Sequence, residues 1–213
     1  MKYEWRKKDK ELYLPKTTPT LITVPAISYL VIHGEGNPNS GAFQDAVSTL
    51  YSLSYGIKMA PRKGLLIDGY FDYTVFPLEG VWDLNEHGRK MFDDGVPIGR
   101  LYDHFVFDVM IRQPAFVSEE LLQTIVDLKR KSDDNPWFEQ AKLVTIDEGQ
   151  CCQIMHVGPY ADEPSSFAKI DDYLDSLDMK RSSHVHREIY TTDPTRTEPA
   201  RLKTVLRVQV EGK

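Results

Sequence analysis

The chain has 213 residues, enough for one large domain or two small ones. Hydrophobic residues make up 41% and charged residues 27%, the balance of an ordinary water-soluble fold. A net charge of −6 argues against direct nucleic-acid binding, no apolar run is long enough to cross a membrane, and no signal-peptide core is present, so the expected location is the cytoplasm.

Residues 1–20 are polar and read as an N-terminal arm with one short helix or strand, in which Lys7, Lys8 and Lys10 form a solvated tail. Residues 25–33 alternate as a strand, and Gly34, Gly36, Asn37 and Pro38 break it. Phe43, Ala46, Val47, Leu50 and Leu53 recur at helical spacing, predicting a helix over 39–55. Residues 64–68 and 72–77 read as extended, residues 80–82 follow, and residues 102–111 read as a strand. Ser118 followed by Glu119 and Glu120 is a helix start, and Lys129, Arg130 and Lys131 suit its last turn. That connecting helix is followed by a loop at 132–136 that leads into Trp137 and Phe138.

The second half runs in the same order. Residues 150–157 form a strand, Gly158 and Pro159 break it, and Ser165 or Ser166 caps a helix carrying Phe167, Ile170, Tyr173, Leu174 and Leu177. Strands follow at 184–191 and 204–210. His33 aligns with His156, Phe43 with Phe167 and Leu50 with Leu174. The expected architecture is α+β: one domain over 1–213 made of two βαββ repeats, about 21–112 and 148–210. The repeats would be related by a pseudo-twofold axis, with an antiparallel sheet, helices on one face and a central ligand cleft. The adjacent Cys151 and Cys152 point to opposite sides of a strand and cannot easily bridge, so both are read as reduced, one inward and one outward.

Several motifs carry a family resemblance: 150–153 (Gln-Cys-Cys-Gln), His156 with Gly158, Pro159 and Tyr160, Glu163-Pro164, and His186-x-Glu188-Ile-Tyr190-x-x-Asp193-Pro194-x-Arg196. Leu202-Lys203-Thr204 with Arg207, residues 76–82 and residues 111–117 fit the same pattern. Over about 20–210 the chain resembles the GyrI-like small-molecule-binding family. The resemblance implies duplicated, SHS2-like βαββ modules around a cleft. No helix-turn-helix extension is read at either end, which is the stand-alone type. Some stand-alone members are cofactor-free hydrolases that open the cyclopropane of cyclopropanoid DNA-alkylating compounds. Others are multidrug binders or gyrase modulators.

Glu188 lies in the middle of a strand that reads as buried, where an unpaired carboxylate is costly. His184, His186 and Glu188 share one face of it. They are a wet strand edge, a metal site, or a cleft carboxylate with neighbours; one strand converges poorly on a metal, and the resemblance favours the cleft carboxylate. Repeat alignment sets Tyr73 opposite Glu188. Glu188 would then act as general base on a water, with Tyr73, Tyr160 or His156 holding that water or donating to the developing oxyanion. Tyr55, Trp82, Phe107, Trp137, Phe138, Tyr160, His186 and Tyr190 are candidate ligand contacts, with a core role the competing reading for each aromatic ring. The expected partner is a hydrophobic aromatic small molecule, with no metal or organic cofactor, bound by a monomer or weak dimer. A non-catalytic drug binder would carry the same cleft carboxylate, so these residues leave the two open. His33-Gly34-Glu35-Gly36 lacks the third glycine of a dinucleotide fingerprint, and no Gly-x-Ser-x-Gly elbow is present.

Overall fold

The computed structural model describes residues 2–133 and 135–213; Met1, in the predicted arm, and Asp134, in the predicted loop 132–136, lie outside the described residues. In chain order the elements are α1 (Trp5–Lys8), α2 (Lys10–Tyr13), β1 (Thr20–Val24), β2 (Ile27–Glu35), α3 (Gly41–Met59), β3 (Leu78–Leu84), α4 (Glu86–Asp93) and β4 (Phe105–Arg112). They continue with α5 (Glu119–Arg130), α6 (Trp137–Gln140), β5 (Lys142–Ile146), β6 (Gly149–Val157), α7 (Glu163–Asp175), β7 (Met179–Arg181), β8 (His186–Tyr190) and β9 (Lys203–Gly212). The chain divides into two compact units, one holding residues 27–76 and 82–145 with Lys2 and Tyr3, the other holding 4–26, 77–81 and 146–213.

In the first unit the strand order is β3–β4–β2–β5, and β2 and β4 pair antiparallel from Tyr29 opposite Arg112 to Glu35 opposite Val106. α3 starts where Ser40 Oγ accepts the Phe43 N–H, and it buries Ala46, Leu50, Leu53 and Ile57 at spacings of three and four. The helix runs past the predicted end at 55 to Met59, and a Cβ on Gly56 would stand 2.7 Å from Ile125 of α5, so glycine is what lets α5 approach. α5 begins as read from sequence, with Ser118 Oγ accepting the Leu121 N–H and acidic residues in its first turn. Residues 64–68 and 72–77 form no strand, correcting the extended reading there; Tyr73 makes only an isolated bridge to Tyr3. Without a neighbour to complete a ladder, an extended-looking stretch stays irregular. After the loop at 132–136, Trp137 and Phe138 open the short helix α6, and Phe138 is buried.

In the second unit the order is β1–β6–β9–β8–β3, with β7 on β9. β6 and β9 pair antiparallel from Cys151 opposite Gln209 to Val157 opposite Lys203, and β8 pairs with β9 from Arg187 opposite Arg207 to Tyr190 opposite Thr204. Paired residues share a face, so Cys152, Ile154, Leu206 and Val208 face α7, where they close a core with Ile170 and Leu174. Each fully buried aliphatic side chain of this kind stabilises by about 1.5–3 kcal/mol. The opposite face is covered by the N-terminal arm. Gln153 donates to Glu11 O at 2.6 Å, Arg207 donates to Leu12 O at 2.7 Å, and Met155 N donates to Lys16 O at 2.8 Å. Trp5 and Tyr13 are buried, so the arm is docked, while Lys7, Lys8 and Lys10 stay exposed. This double cover corrects the cysteine reading: Cys151 and Cys152 still point to opposite faces, and both are fully buried.

α7 begins earlier than predicted, at Glu163 with Pro164 in its first turn. Neither Ser165 nor Ser166 caps it: Ser165 donates to Asp162 O, and Ser166 bonds His156 instead. Gly158, at φ 139°, makes the turn out of β6 that brings Pro159 back to His156.

Candidate functional site

β8 alternates strictly. Arg187 and Ile189 are buried on the arm side, whereas His186, Glu188 and Tyr190 are half-buried on the α7 side. α7 packs on β6 and β7, which leaves the face of β8 partly open. The Glu188 side chain is 13% exposed and that of His186 is 21% exposed, so a ligand or water can reach both.

The residue that meets Glu188 is Glu163, the first residue of α7, which hydrogen-bonds to it. Burial and the neighbouring Glu188 charge push the Glu163 carboxyl far above the usual carboxylate range, so it holds its proton at neutral pH. His186 Nε2 also donates to Glu188 Oε1, at 3.1 Å. Glu188 is thus held by two side-chain partners. Two carboxyl groups therefore stand side by side, and burial keeps the proton on Glu163. Glu163 Oε1 is buried and has no hydrogen-bond partner.

Rings surround the pair. The His186 ring meets Phe167 edge-on at 4.9 Å, and Arg181 lies over Phe167 at 4.8 Å, clamped by two 2.6 Å bonds to Asp171. Tyr160 and Tyr190 meet edge-on at 6.0 Å. Burial, with the nearby Glu188 and Glu163, pushes the Tyr160 phenol up to about 12, so it stays a donor at neutral pH.

On the opposite face, directly behind Glu188, lies a buried ion cluster. Arg187 donates to Glu79 at 2.9 Å and to Glu148 at 2.8 Å, and Arg207 donates to Glu148 at 3.0 Å and to Gln153. Two guanidiniums face two carboxylates, and Tyr13 adds a 3.3 Å bond to Glu79. Complete burial pushes the Glu79 carboxyl up, against the downward pull of Arg187 and Arg207. The cluster anchors β8 through Arg187, between His186 and Glu188, and so sets which way Glu188 points.

The residues expected from sequence separate into groups. Glu188, His186, Tyr160 and Tyr190 come together. His156 faces α7 but has both ring nitrogens engaged: Nδ1 with Ser166 Oγ at 2.9 Å, and Nε2 donating to Pro159 O at 3.1 Å. It therefore ties β6 to α7 and has no nitrogen left for a water. A recess of about 600 Å³ opens beside the start of α7, lined by residues including His156, Asp162, Ser165 and Lys169; neither Glu163 nor Glu188 lines it. Tyr73 belongs to the first unit, off any strand, with its ring 1% exposed among Phe71, Phe76 and Phe116. The strand premise that set it opposite Glu188 therefore does not hold. Trp82 and Phe107 pack with Phe43 in the first unit, at centroid distances of 5.7 and 4.9 Å from it. Tyr55 is exposed on α3, Trp137 is half-buried on α6 and Phe138 is core. His184 precedes β8 and is exposed, so the His184–His186–Glu188 triplet does not converge; among the described residues no group of three or more His, Cys, Asp and Glu could hold a metal ion. Glu163 entered the sequence reading only within the Glu163-Pro164 motif and was given no role in the site.

The family model of the GyrI-like small molecule binding domain matches residues 17–211. A crystal structure of an uncharacterized conserved protein from Listeria innocua is 33% identical, with a TM-score of 0.90 over 99% of this chain and 100% of that one. A protein from Listeria innocua described as a hydrolase is 32% identical, with a TM-score of 0.87 over the same shares. The EcmrR C-terminal domain, 9% identical, shares the fold alone, with a TM-score of 0.53 over 92% of this chain and 98% of that one. Among curated proteins none matches.

Proposed function

Since the chain belongs to the GyrI-like small molecule binding domain family, we propose that it is a cofactor-free hydrolase opening the cyclopropane ring of cyclopropanoid, DNA-alkylating xenobiotics, with Glu188 as the base. The observation that carries this reading is the Glu188 carboxyl on the partly open face of β8, bonded to His186 and set among the rings of Tyr160, Tyr190 and Phe167. A binder of neutral aromatic compounds has no need of a carboxyl group fixed in this way. Relatives 32% and 33% identical that are described as hydrolases point the same way.

In the proposed step Glu188 takes a proton from water while the water oxygen bonds to the ring methylene carbon. The strained carbon–carbon bond breaks, and its electron pair passes through the dienone to the carbonyl oxygen, which becomes a phenolate and then takes up a proton. Water is thereby added across one ring bond, and the aromaticity gained drives the opening. His186 orients Glu188, and the Tyr160 hydroxyl is a donor for the water or the oxyanion. Tyr160, Tyr190 and Phe167 supply ring surface for a flat ligand. His156 and Tyr73 have no chemical part in this scheme.

The test is turnover of a cyclopropane-fused dienone by purified protein, with and without chelator, beside Glu188→Gln. Chelator-resistant opening that falls by about 10²–10⁴-fold in the variant, with ligand affinity nearly unchanged, is the expected result. Tight binding with no product identifies a binding protein instead.

A further inference from the structure

We propose that the recess beside the start of α7 is a second ligand site, and that its ligand is a short peptide, about three residues long, with free amino and carboxyl ends. The site is separate from Glu188 and does not depend on the role of that residue. The recess uses one face of α7. Asp162, Ser165, Ser166 and Lys169 stand at i, i+3, i+4 and i+7, so they form a single stripe along the helix, and all four line the recess. The stripe has a carboxylate at one end and an amine at the other, two turns and about 10 Å apart along the axis.

The fold uses neither charge. An aspartate at an N-cap ordinarily accepts from a backbone N–H of the first turn, and Asp162 makes no such bond. Among the described residues neither its carboxylate nor the Lys169 amine has a hydrogen-bond or ion-pair partner, and the two do not pair with each other. Both side chains are exposed. The end of β6 gives a second wall, with Val157 and with His156, whose ring nitrogens are both engaged, so this wall supplies shape and no charge. The arm gives the third. Met155 N donates to Lys16 O at 2.8 Å, which holds Thr17 at the end of β6, and the Thr17 hydroxyl has no partner among the described residues.

A volume of about 600 Å³ is that of a small-molecule pocket. A ligand that satisfies both ends of the stripe carries an ammonium for Asp162 and an anion for Lys169, about 10 Å apart. An extended tripeptide spans that length, at about 3.3–3.6 Å per residue, and a single amino acid does not. The Ser165 hydroxyl donates to Asp162 O, so its oxygen is left to accept from a peptide N–H, while the Thr17 hydroxyl can donate to a peptide carbonyl. The charges set the direction, with the amino end of the peptide at Asp162 and its carboxyl end at Lys169. Val157 and Pro164 leave apolar surface for small side chains.

The experiment titrates isotopically labelled protein with trialanine and follows the backbone amide signals, beside N-acetyl-trialanine amide, which lacks both charges, and free alanine. Because both protein charges are exposed, we expect a dissociation constant on the order of 1 mM, with signals moving at Thr17, Val157 and the first turns of α7. The doubly capped peptide and alanine should each bind at least about tenfold more weakly. Asp162→Asn and Lys169→Met should keep the wild-type unfolding transition, since neither side chain has a partner, and each should weaken trialanine by about threefold or more while leaving the capped peptide unchanged. Equal binding of free and capped peptide by wild type overturns the proposal. So do signals that move elsewhere in the protein, or no movement at about 10 mM trialanine.

Discussion

Arg187 and Glu79 form an ion pair at 2.9 Å with their side chains only 3% and 0% exposed, so β8 and β3 are joined by charge on the face opposite the site. Such a pair adds little over a well-packed apolar one, but removing one member leaves an uncompensated buried charge. Arg187→Ala is therefore expected to lower the unfolding free energy by about 3–5 kcal/mol in guanidinium titrations. The double change Arg187→Met with Glu79→Leu removes both charges and should recover most of that loss, since Arg207 and Glu148 still balance each other.

Stability should depend on pH through Glu163. Its folded pKa, raised to about 10, lies above the ordinary 4.5, so between these values the folded state holds a proton that the unfolded state has released. The stability it allows is fully present below about 4.5 and is lost as pH rises toward 10. Glu163→Gln has no such proton and can still donate to Glu188. The melting temperature of the variant minus that of wild type should be near zero or slightly negative at pH 4 and grow steadily more positive through pH 9. A flat difference would show that Glu163 is not held protonated.

His156 should matter to folding and not to turnover. Ser166→Ala leaves Nδ1 of a 3% exposed histidine without its partner, at an expected cost of about 1–3 kcal/mol. In chemical unfolding the midpoint should fall, while kcat on any substrate the protein turns over stays within about threefold at temperatures well below the transition, far short of the 10²-fold or more expected for a lost acid or base. A large kcat loss in the folded variant would return His156 to the chemistry.

The cysteines should be inert in the native state. Burial pushes Cys151 up to about 12 and Cys152 up to about 11, so at pH 8 almost no thiolate is present. A thiol reagent at pH 8 is expected to label neither without denaturant and both with it. Fast labelling of the native protein would mean that one cover of β6, the arm or α7, opens readily.

Trp5 tests the arm. It is 4% exposed and lies on the segment whose carbonyls accept from Gln153 and Arg207. Trp5→Ala is expected to cost about 3–5 kcal/mol, and amide exchange in β6 and β9 should quicken. Loss confined to the first few residues would instead mean that the arm frays independently.

Local pattern was enough for the elements that carry their own signal. Ser118 and the acidic turn after it announced α5, and the period-two alternation around Glu188 placed that carboxylate on one face of a strand with His186. These are effects of neighbours in sequence: caps, spacing and alternation act within a turn or two of chain. What tertiary structure decided is which distant groups meet. Strand register carries Arg187 to Glu79 and Glu148, the start of α7 carries Glu163 to Glu188, and the docked arm covers a face of β6 that looked free for Cys151 or Cys152 to meet solvent. Tyr73 marks the same divide, because its segment has an extended pattern but no strand beside it to make a ladder. Hydrogen bonds and charge neutralisation between remote residues depend on where the backbone finally lies, and a linear pattern carries no record of that.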